Sequence, residues 1–455
     1  LKRQAVWARS TLWRTRGRWM CQEDRRASAR VVSWLLFLQF FSAVQSVHEG
    51  SAWQAYQARL LQERHEWQAF ARKLDPRVAR PASGRGVVIV GGRDTARPSD
   101  GPERTGGTGG KAYYTLDALL SLAALRFAGC QLPVELWHNH DSALLGAEGE
   151  AVEAALSEHG GPLRLRDFWS LPGGSQLQGF QLITKAVMHA AFEEVLYLDA
   201  DNVPLIDPTT LFHTAAYART GVLFWQDFEP VYPDNPMWRV VDREPLPVRD
   251  TESSQLLINR SRHWKPLALC DYFNERGPAF YHWFLNGDAG LWHMAWLALG
   301  APFSVVERLP SKLGHVAPGG GAAFCGSSHL QHRPGSGRPA FGNRGLRKFS
   351  VFPGDSTLRW TALKRGDNGS VQTFPRGADT SRCLCIGHGG GAFGCSDMTA
   401  EVDRSPAARA TLRQLAAVER VLLELRADLL DEHLRLRRAW WLTWARCVGE
   451  RTGRR

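Results

Sequence analysis

Short apolar runs alternate with amphipathic stretches through the middle of the chain. Residues 112–128 and 182–192 repeat apolar positions at helical spacing. The apolar runs lie before, between and after them, at residues 86–92, 132–138, 195–198 and 221–228. Short apolar runs ended by polar residues, glycine or proline predict buried strands, and strands that alternate with helices predict a mostly parallel sheet with helices on both faces. The pattern therefore predicts an α/β fold.

The pattern differs at both ends of the chain. Residues 31–47 carry no charge and follow a basic stretch. As a helix they would be about 25 Å long, slightly less than a hydrocarbon core of about 30 Å. The basic flank predicts a signal anchor with a cytosolic N-terminus. A cleaved signal peptide and a buried amphipathic helix are the alternatives. Residues 403–448 predict one or two Arg-rich amphipathic helices.

Changes in apolar pattern and charge along the sequence divide the chain into six predicted segments. They are a basic cytosolic tail (1–30), a signal-anchor helix (31–47), a stem (48–84), a catalytic domain (85–360), a Gly- and Cys-rich loop (361–402) and a helical extension (403–455). The net charge is +11 and its excess lies at the basic ends, which favours membrane orientation over nucleic-acid binding. The sequence has no zinc-finger, helix-turn-helix or RNP pattern, so we expect no nucleic-acid partner.

Two carboxylates follow the apolar run that ends at Leu198. Asp199 and Asp201 are separated by one residue, and Pro204 excludes a helix across the segment. Open α/β sheets bind ligands at the C-terminal ends of their strands, where two Asp residues are costly without a cation. Asp-x-Asp offers two oxygen ligands to one divalent ion and leaves room for phosphate oxygens. For the motif alone, a strand-end turn capped by Asp199 and Asn202 is the alternative.

Three further acidic residues are candidates for the sugar-binding side of a site. Asp227 lies near the end of the run 221–228, Glu252 begins the run 252–259, and Asp288 begins a predicted helix, where a helix cap is the alternative role. Such a carboxylate can orient an acceptor hydroxyl, stabilise an oxocarbenium-like transition state or act as a transient nucleophile. Gln255 lies three residues after Glu252, so on a regular strand the two would face opposite sides.

Several of these segments together resemble glycosyltransferase family 71, the fungal Golgi α-mannosyltransferases. The matching stretches keep the family's order over about residues 85–350. They are RGVVIVGG, LRFAGCQLPVELWH, FQLITKAVMHAAFEEVLYLDADNVPL, GVLFWQDF, ESSQLLIN and GDAGLWHMAW. The resemblance implies a GT-A fold, GDP-mannose as the donor, Mn²⁺ as the cofactor and a glycan or glycoprotein as the acceptor. It also implies retention of the anomeric configuration and a single-pass type II topology in the Golgi membrane.

The resemblance and the spacing together assign roles on the donor side. Asp201 is expected to ligate Mn²⁺, and Asp199 to contact the metal or the nucleotide ribose. The family match places Lys185 near the donor phosphates, with a solvated helix lysine as the alternative. Gln255 is a further candidate for donor binding.

The match favours Glu252 and Asp288 as catalytic carboxylates, with Asp227 as a third candidate. Two positions depart from the family pattern. Ala289 stands where the family has Lys, and Asn343 stands where it has His. Either Asn343 or His332 is therefore expected to complete the metal shell.

Two other classes of protein fit parts of the same pattern. Haloacid-dehalogenase-type phosphohydrolases use a strand followed by Asp-x-Asp and a Val or Thr, and Asp199, Asp201 and Val203 fit this pattern. That class also needs a downstream Lys and an acidic pair, which are not evident. A degenerate transferase that binds glycans is the non-enzymatic alternative. Asn368 begins an Asn-Gly-Ser sequon and is a predicted glycosylation site.

Overall fold

The structure is a computed structural model. It describes residues 49–75, 82–92, 114–139, 161–285, 287–316, 324–344, 360, 362–364, 384–386, 392–394, 403 and 405–430. The predicted anchor (31–47) and Asn368 lie outside the described residues. Among the helices that are described, none combines the length and the apolar character that a membrane span requires.

Helices and strands alternate through the first two thirds of the described chain. The helices are α1 (Glu49–Lys73), α2 (Tyr114–Phe127), α3 (Gln181–His189), α4 (Ala215–Thr220), α5 (Met237–Val240), α6 (Trp264–Arg276), α7 (Ala289–Ala298) and α8 (Pro406–Leu430). The strands are β1 (Arg85–Gly92), β2 (Val134–His138), β3 (Leu163–Asp167), β4 (Glu194–Asp199), β5 (Asn202–Pro204), β6 (Val222–Phe224), β7 (Gln226–Pro230), β8 (Arg249–Thr251), β9 (Gln255–Asn259), β10 (Ser304–Val305), β11 (Ser311–Val316), β12 (Phe324–His332), β13 (Pro339–Asn343), β14 (Ala362–Lys364), β15 (Leu384–Ile386) and β16 (Ala392–Gly394).

A seven-stranded sheet forms the centre of the fold. Its strand order is β10-β6-β9-β4-β1-β2-β3, and β9 alone runs antiparallel to its neighbours β4 and β6. Val87, Val88 and Ile89 on β1 are all fully buried, because helices cover both faces of such a sheet and leave no solvent face for alternating polar residues. The predicted mostly parallel α/β sheet is confirmed.

A second sheet was not predicted from the sequence. It is antiparallel, with the strand order β14-β11-β12-β13-β5. Its edge strand β5 begins at Asn202, three residues after β4 ends at Asp199 in the first sheet. The Asp-x-Asp segment is therefore the link through which the chain passes from one sheet into the other.

Helix α8 packs against the second sheet and against α2. Leu415, Val418 and Leu422 lie on one helical face and are buried in the same apolar cluster as Phe341 of β13 and Leu122 of α2. Glu419 on this face forms an ion pair with Arg344, the residue after β13, and each side chain is 1% exposed. The helix thereby holds the end of β13 in place.

The chain divides into two compact units, residues 1–59 and 60–455. In the first unit the structure describes residues 49–59, the beginning of α1. The rest of α1 belongs to the second unit, although the sequence assigned residues 48–84 to a stem. Trp67 is buried and donates a hydrogen bond from Nε1 to the carbonyl of Val240 (2.7 Å), and the Tyr281 hydroxyl donates to Glu63 (2.8 Å). Their spacing of four residues puts Glu63 and Trp67 on one helical face.

Candidate active site

The carboxylates of the Asp-x-Asp motif lie at the end of β4. The Tyr197 hydroxyl donates a hydrogen bond to the Asp199 carboxylate, and the backbone N–H of Asp199 donates to the carbonyl of Ser254 (2.9 Å). Burial raises the pKa of Tyr197 well above its ordinary value, and the negative charge of Asp199 raises it further. The phenol therefore stays protonated and acts as a donor. Asp201 is 4% exposed, and its carbonyl accepts from the N–H of Arg344 (3.1 Å).

Two buried amides lie beside this motif. The Asn202 Nδ2 donates to the Ser254 carbonyl and to the Gln255 Oε1, both at 3.0 Å. The Ser254 hydroxyl also donates to the Gln255 Oε1 (3.0 Å). The Asn202 Oδ1 is buried and has no hydrogen-bond partner within the described residues. Gln255 thus contacts Asn202, the residue that follows the motif, and its role in donor binding stays a prediction.

Asn343 and His332 were the candidates to complete a metal shell. Asn343 is the strand partner of Asn202 across β13 and β5, so it lies beside Asp201. The His332 imidazole instead contacts the Ser311 hydroxyl (3.0 Å), and its carbonyl accepts from Trp225 Nε1 (2.8 Å). The structure brings Asn343 next to the segment of the motif, whereas His332 pairs with Pro339 at the other end of β13. Metal binding by either residue stays a prediction.

Glu252 is bound on both of its oxygens. His329 Nδ1 lies 2.5 Å from Oε2, and the N–H of Ser254 donates to Oε1 (3.0 Å). Burial would raise the pKa of Glu252, but the charge and hydrogen bond of His329, together with the bonds from Ser254, lower it below the ordinary value. Conversely, burial would lower the pKa of His329, and Glu252 and Asp227 raise it. Each group therefore shifts the pKa of the other in the direction that favours its charged form.

Asp227 is the third member of this group. Asp227, Glu252 and His329 each place one oxygen or nitrogen within 4.8 Å of the others. Burial raises the pKa of Asp227 to about 6, although His329 opposes this shift. The sequence predicted Asp227 and Glu252 but not His329, which comes from the second sheet. The two runs that carry Asp227 and Glu252 are also interrupted, since Trp225 lies between β6 and β7 and a turn at Ser253 and Ser254 separates Glu252 from β9.

The turn before β9 also corrects the expected geometry of Glu252 and Gln255. These residues were expected to face opposite sides of one regular strand. β9 begins at Gln255, and Ser253 and Ser254 form a turn. Ser254 contacts both side chains, through its N–H to Glu252 and through its hydroxyl to Gln255. The rule of alternating sides does not apply here because the segment is not extended.

Asp288 has a helical backbone conformation and makes no side-chain cap for α7. Its carboxylate accepts from the Ser253 hydroxyl (3.3 Å) and from Trp292 Nε1 (3.2 Å). Burial raises the pKa of Asp288 to about 6, and nearby Glu252 adds to the shift. The alternative role as a plain helix cap is therefore wrong, and Asp288 lies beside the turn that holds Glu252.

Asp250 is a fourth buried carboxylate near the group, and no motif or spacing in the sequence indicates it. Burial raises its pKa to about 7, and the charges of Asp227 and Glu229 add to the shift. A Cβ added to Gly290 of α7 would lie 2.7 Å from the Asp250 Oδ1. A glycine at this position therefore lets α7 approach β8 closely.

Lys185 lies on α3, before β4. Its ammonium is bound by Asp271 (2.6 Å) and Glu275 (2.7 Å) of α6. Burial would lower the pKa of Lys185, but these two carboxylates raise it above the ordinary value. The lysine is therefore not freely solvated, and its ammonium is bound by carboxylates of α6. Its role in donor binding stays a prediction.

More than half of the chain matches a known protein family. A family model described as a mannosyltransferase matches residues 84–236 and 242–333, which is more than half of the sequence. The chain belongs to this mannosyltransferase family. The resemblance to glycosyltransferase family 71 is confirmed. The matched residues of the mannosyltransferase family include the Asp-x-Asp motif, Asp227, Glu252, Asp288 and His329, and they end ten residues before Asn343.

Relatives with assigned names are fungal mannosyltransferases. The α-1,2-mannosyltransferase MNN21 of Candida albicans is 26% identical over 287 residues, which cover 50% of this chain and 44% of that protein. The α-1,2-mannosyltransferase MNN2 of Saccharomyces cerevisiae is 28% identical over 219 residues, 38% of this chain and 36% of that protein. This member of the mannosyltransferase family thus matches less than half the length of these two relatives.

Solved structures show only distant similarity. The glycosyltransferase GlyE of Streptococcus pneumoniae TIGR4 has a TM-score of 0.33 and 17% identity, and the match covers 50% of this chain and 45% of that one. A galactosyltransferase LgtC solved with donor and acceptor sugar analogues has a TM-score of 0.31 and 15% identity, with 46% of this chain and 69% of that one covered.

Proposed function

We propose that the chain is a divalent-metal-dependent glycosyltransferase of the GT-A type that transfers mannose to a glycan or glycoprotein acceptor. The observation that carries the proposal is the grouping of the Asp-x-Asp carboxylates with Asn202, Gln255 and Asn343 at the end of a central strand. Membership of the mannosyltransferase family and the names of the relatives support mannose as the sugar. GDP-mannose as the donor, retention of configuration and a type II topology in the Golgi membrane follow from the resemblance noted in the sequence.

The residues present fit a hard divalent cation such as Mn²⁺. The groups that meet at the β4–β5 link carry carboxylate and amide oxygens, which such ions prefer. The buried Oδ1 of Asn202 accepts no hydrogen bond within the described chain, and a cation would satisfy it. Asp199 and Asp201 would hold the ion with Asn343 beside them. When bound, the ion neutralises the charge that develops on a departing diphosphate.

The protein's own side chains supply the remaining chemistry. Tyr197 holds Asp199 by donating to it, so one carboxylate oxygen is fixed before a ligand arrives. Glu252 is ionised and bound at both oxygens, which suits a carboxylate that stabilises positive charge on a sugar ring. Asp227 and Asp288 each have a pKa of about 6, so near neutral pH they exchange protons readily and suit the orientation of acceptor hydroxyls.

A donor screen tests the proposal. The full chain is incubated with Mn²⁺ and a panel of nucleotide sugars, and the released nucleotide is measured. We expect release from GDP-mannose in the presence of a mannose-containing acceptor and no release after addition of a chelator. The Asp201→Asn variant should lose at least about 100-fold in rate, because one charged ligand of the metal is removed.

A matched variant and two competing outcomes complete the screen. Asp234 is exposed in a turn, and Asp234→Asn should leave the rate unchanged. Turnover by Asp201→Asn equal to that of the wild type would refute the role of the motif. Release of phosphate from a sugar phosphate without a nucleotide sugar would identify a phosphohydrolase instead. A folded protein that binds glycans but shows no Mn²⁺-dependent donor binding in calorimetry would identify a binding subunit.

A further inference from the structure

The Glu252 carboxylate is oriented before any substrate binds. A carboxylate turns easily about its last bond, because that torsion has a broad two-fold profile. Here the N–H of Ser254 donates to Oε1 (3.0 Å), and His329 Nδ1 lies 2.5 Å from Oε2. An ionised carboxylate only accepts hydrogen bonds, so Nδ1 carries the proton of the second bond. Two donors on opposite oxygens fix the plane of the group.

His329 is itself held by the second sheet. Its backbone lies in β12, where its strand partners are Lys312 on β11 and Asn343 on β13. Its ring meets the edge of the Phe228 ring at 89°, with 4.6 Å between the centroids. The Lys312 ammonium lies 4.8 Å from the same Phe228 ring. The imidazole is thus fixed by backbone pairing and by packing, independently of Glu252.

The same strand pairing connects the imidazole to the Asp-x-Asp segment. In register across the sheet, His329 pairs with Asn343, and Asn343 pairs with Asn202. Paired residues of neighbouring strands point to the same face of a sheet. His329 therefore belongs to the row of polar side chains that begins beside Asp201, although it is 77 residues from Glu252 in the sequence.

We propose that His329 is a positioning residue of the transferase, which holds the Glu252 carboxylate aimed at the donor sugar. This inference rests on the proposed function. A carboxylate stabilises an oxocarbenium-like transition state only when it is charged and correctly placed. The Ser254 N–H belongs to the backbone and could be removed only by proline, which would also fix the backbone conformation of the turn. The imidazole is therefore the part of this arrangement that mutation can test cleanly.

Three substitutions at His329 separate the hydrogen bond from the volume of the side chain. The amide nitrogen of Asn occupies nearly the place of imidazole Nδ1, and that of Gln nearly the place of Nε2. His329→Asn therefore keeps a donor for Glu252, whereas His329→Gln keeps more of the volume and loses the donor. We expect kcat to fall about 10–100-fold in the Gln and Ala variants and clearly less in the Asn variant, with the donor KM changed by no more than about twofold.

The control uses a histidine outside the site. His213 is exposed and contacts Arg85, and His213→Gln should match the wild type in kcat. Donor affinity is measured for every variant by calorimetry, and metal content by elemental analysis. These measurements identify any variant whose rate falls because it binds less donor or less metal.

The outcomes are distinct. An Asn variant no better than the Gln variant, or an Ala variant with unchanged kcat, overturns the inference. Loss of donor binding in all three variants overturns it too, since His329 would then act through the fold. Loss of one bound metal ion per chain in the Ala variant shows that Asp227, Glu252 and His329 bind a cation, and the hydrogen-bond assignment fails. A wild type inactive with every donor refutes the proposed function itself, whereas an active wild type with the wrong order of variants refutes the role of His329 alone.

Discussion

Removing Glu419 should destabilise the protein strongly, because the charge of Arg344 would lose its buried partner. The Arg344 Nη1 lies 2.5 Å from the Glu419 Oε1, and both side chains are 1% exposed. The guanidinium also lies 5.3 Å from the centroid of the Trp360 ring, which leaves it little access to water. Loss of one partner of a buried ion pair typically costs about 3–5 kcal/mol. We expect this range for Glu419→Ala.

The free energy of unfolding is measured from urea titrations followed by circular dichroism and by tryptophan fluorescence. Agreement between the two signals shows whether a single transition is present. The double variant Arg344→Met/Glu419→Leu should recover most of the loss, since an apolar pair of similar volume is often as stable as a buried ion pair. A loss below about 1 kcal/mol for Glu419→Ala, the range of solvated pairs, would refute the reasoning. So would a double variant as unstable as the single one.

Three further predictions concern the site and its surroundings. Burial raises the pKa of Asp250 from 3.8 to about 7. The free energy of unfolding should therefore fall as the pH rises from about 4 to above 7, by up to about 4 kcal/mol, because the folded protein must ionise a buried carboxyl. Asp250→Asn should therefore raise Tm at pH 8 and change it little at pH 4; an equal change at both values would contradict the shift. Gly290→Ala should destabilise by about 1–3 kcal/mol in urea titrations, because the new Cβ would lie 2.7 Å from Asp250 and 2.8 Å from Leu285; a neutral effect would show that α7 can move away from β8. Asp201→Asn should weaken Mn²⁺ binding in calorimetry at least about tenfold without lowering Tm, and unchanged affinity would place the ion elsewhere.

The central sheet was predictable from the sequence because its signals are local. β1 and β4 contain continuous apolar runs that end at glycine and at Asp, and β2 is mostly apolar apart from Glu135 and ends at His138. The helices α2 and α3 carry their apolar positions at helical spacing. The Asp-x-Asp motif was predictable for the same reason, because it begins at the last residue of β4. Each of these strands and helices is indicated by a few residues that are close together in the sequence.

The second sheet and His329 depend on contacts between distant segments. β5 has three residues, and β11, the first of the strands β11 to β13, begins 109 residues after β5 begins. Nothing near His329 in the sequence indicates that Glu252 is its partner. The expectation about Gln255 failed for a different reason: it assumed a regular strand where two serines form a turn. Strand pairing and turn geometry depend on tertiary contacts. For this reason the second sheet, the contact of His329 with Glu252 and the position of Gln255 could not be predicted from the sequence.

The position of β5 has a consequence for how the protein folds. Asn202 pairs with Asn343, so a segment of about 140 residues must be closed into a loop before the strand acquires its neighbour. Such closure is entropically costly and slow compared with local helix formation. During synthesis, β4 can join its sheet while β5 is still an unpaired edge, open to association with other chains. We therefore expect the Asp-x-Asp segment to reach its final geometry late, so that cation affinity during refolding reports completion of the whole catalytic unit.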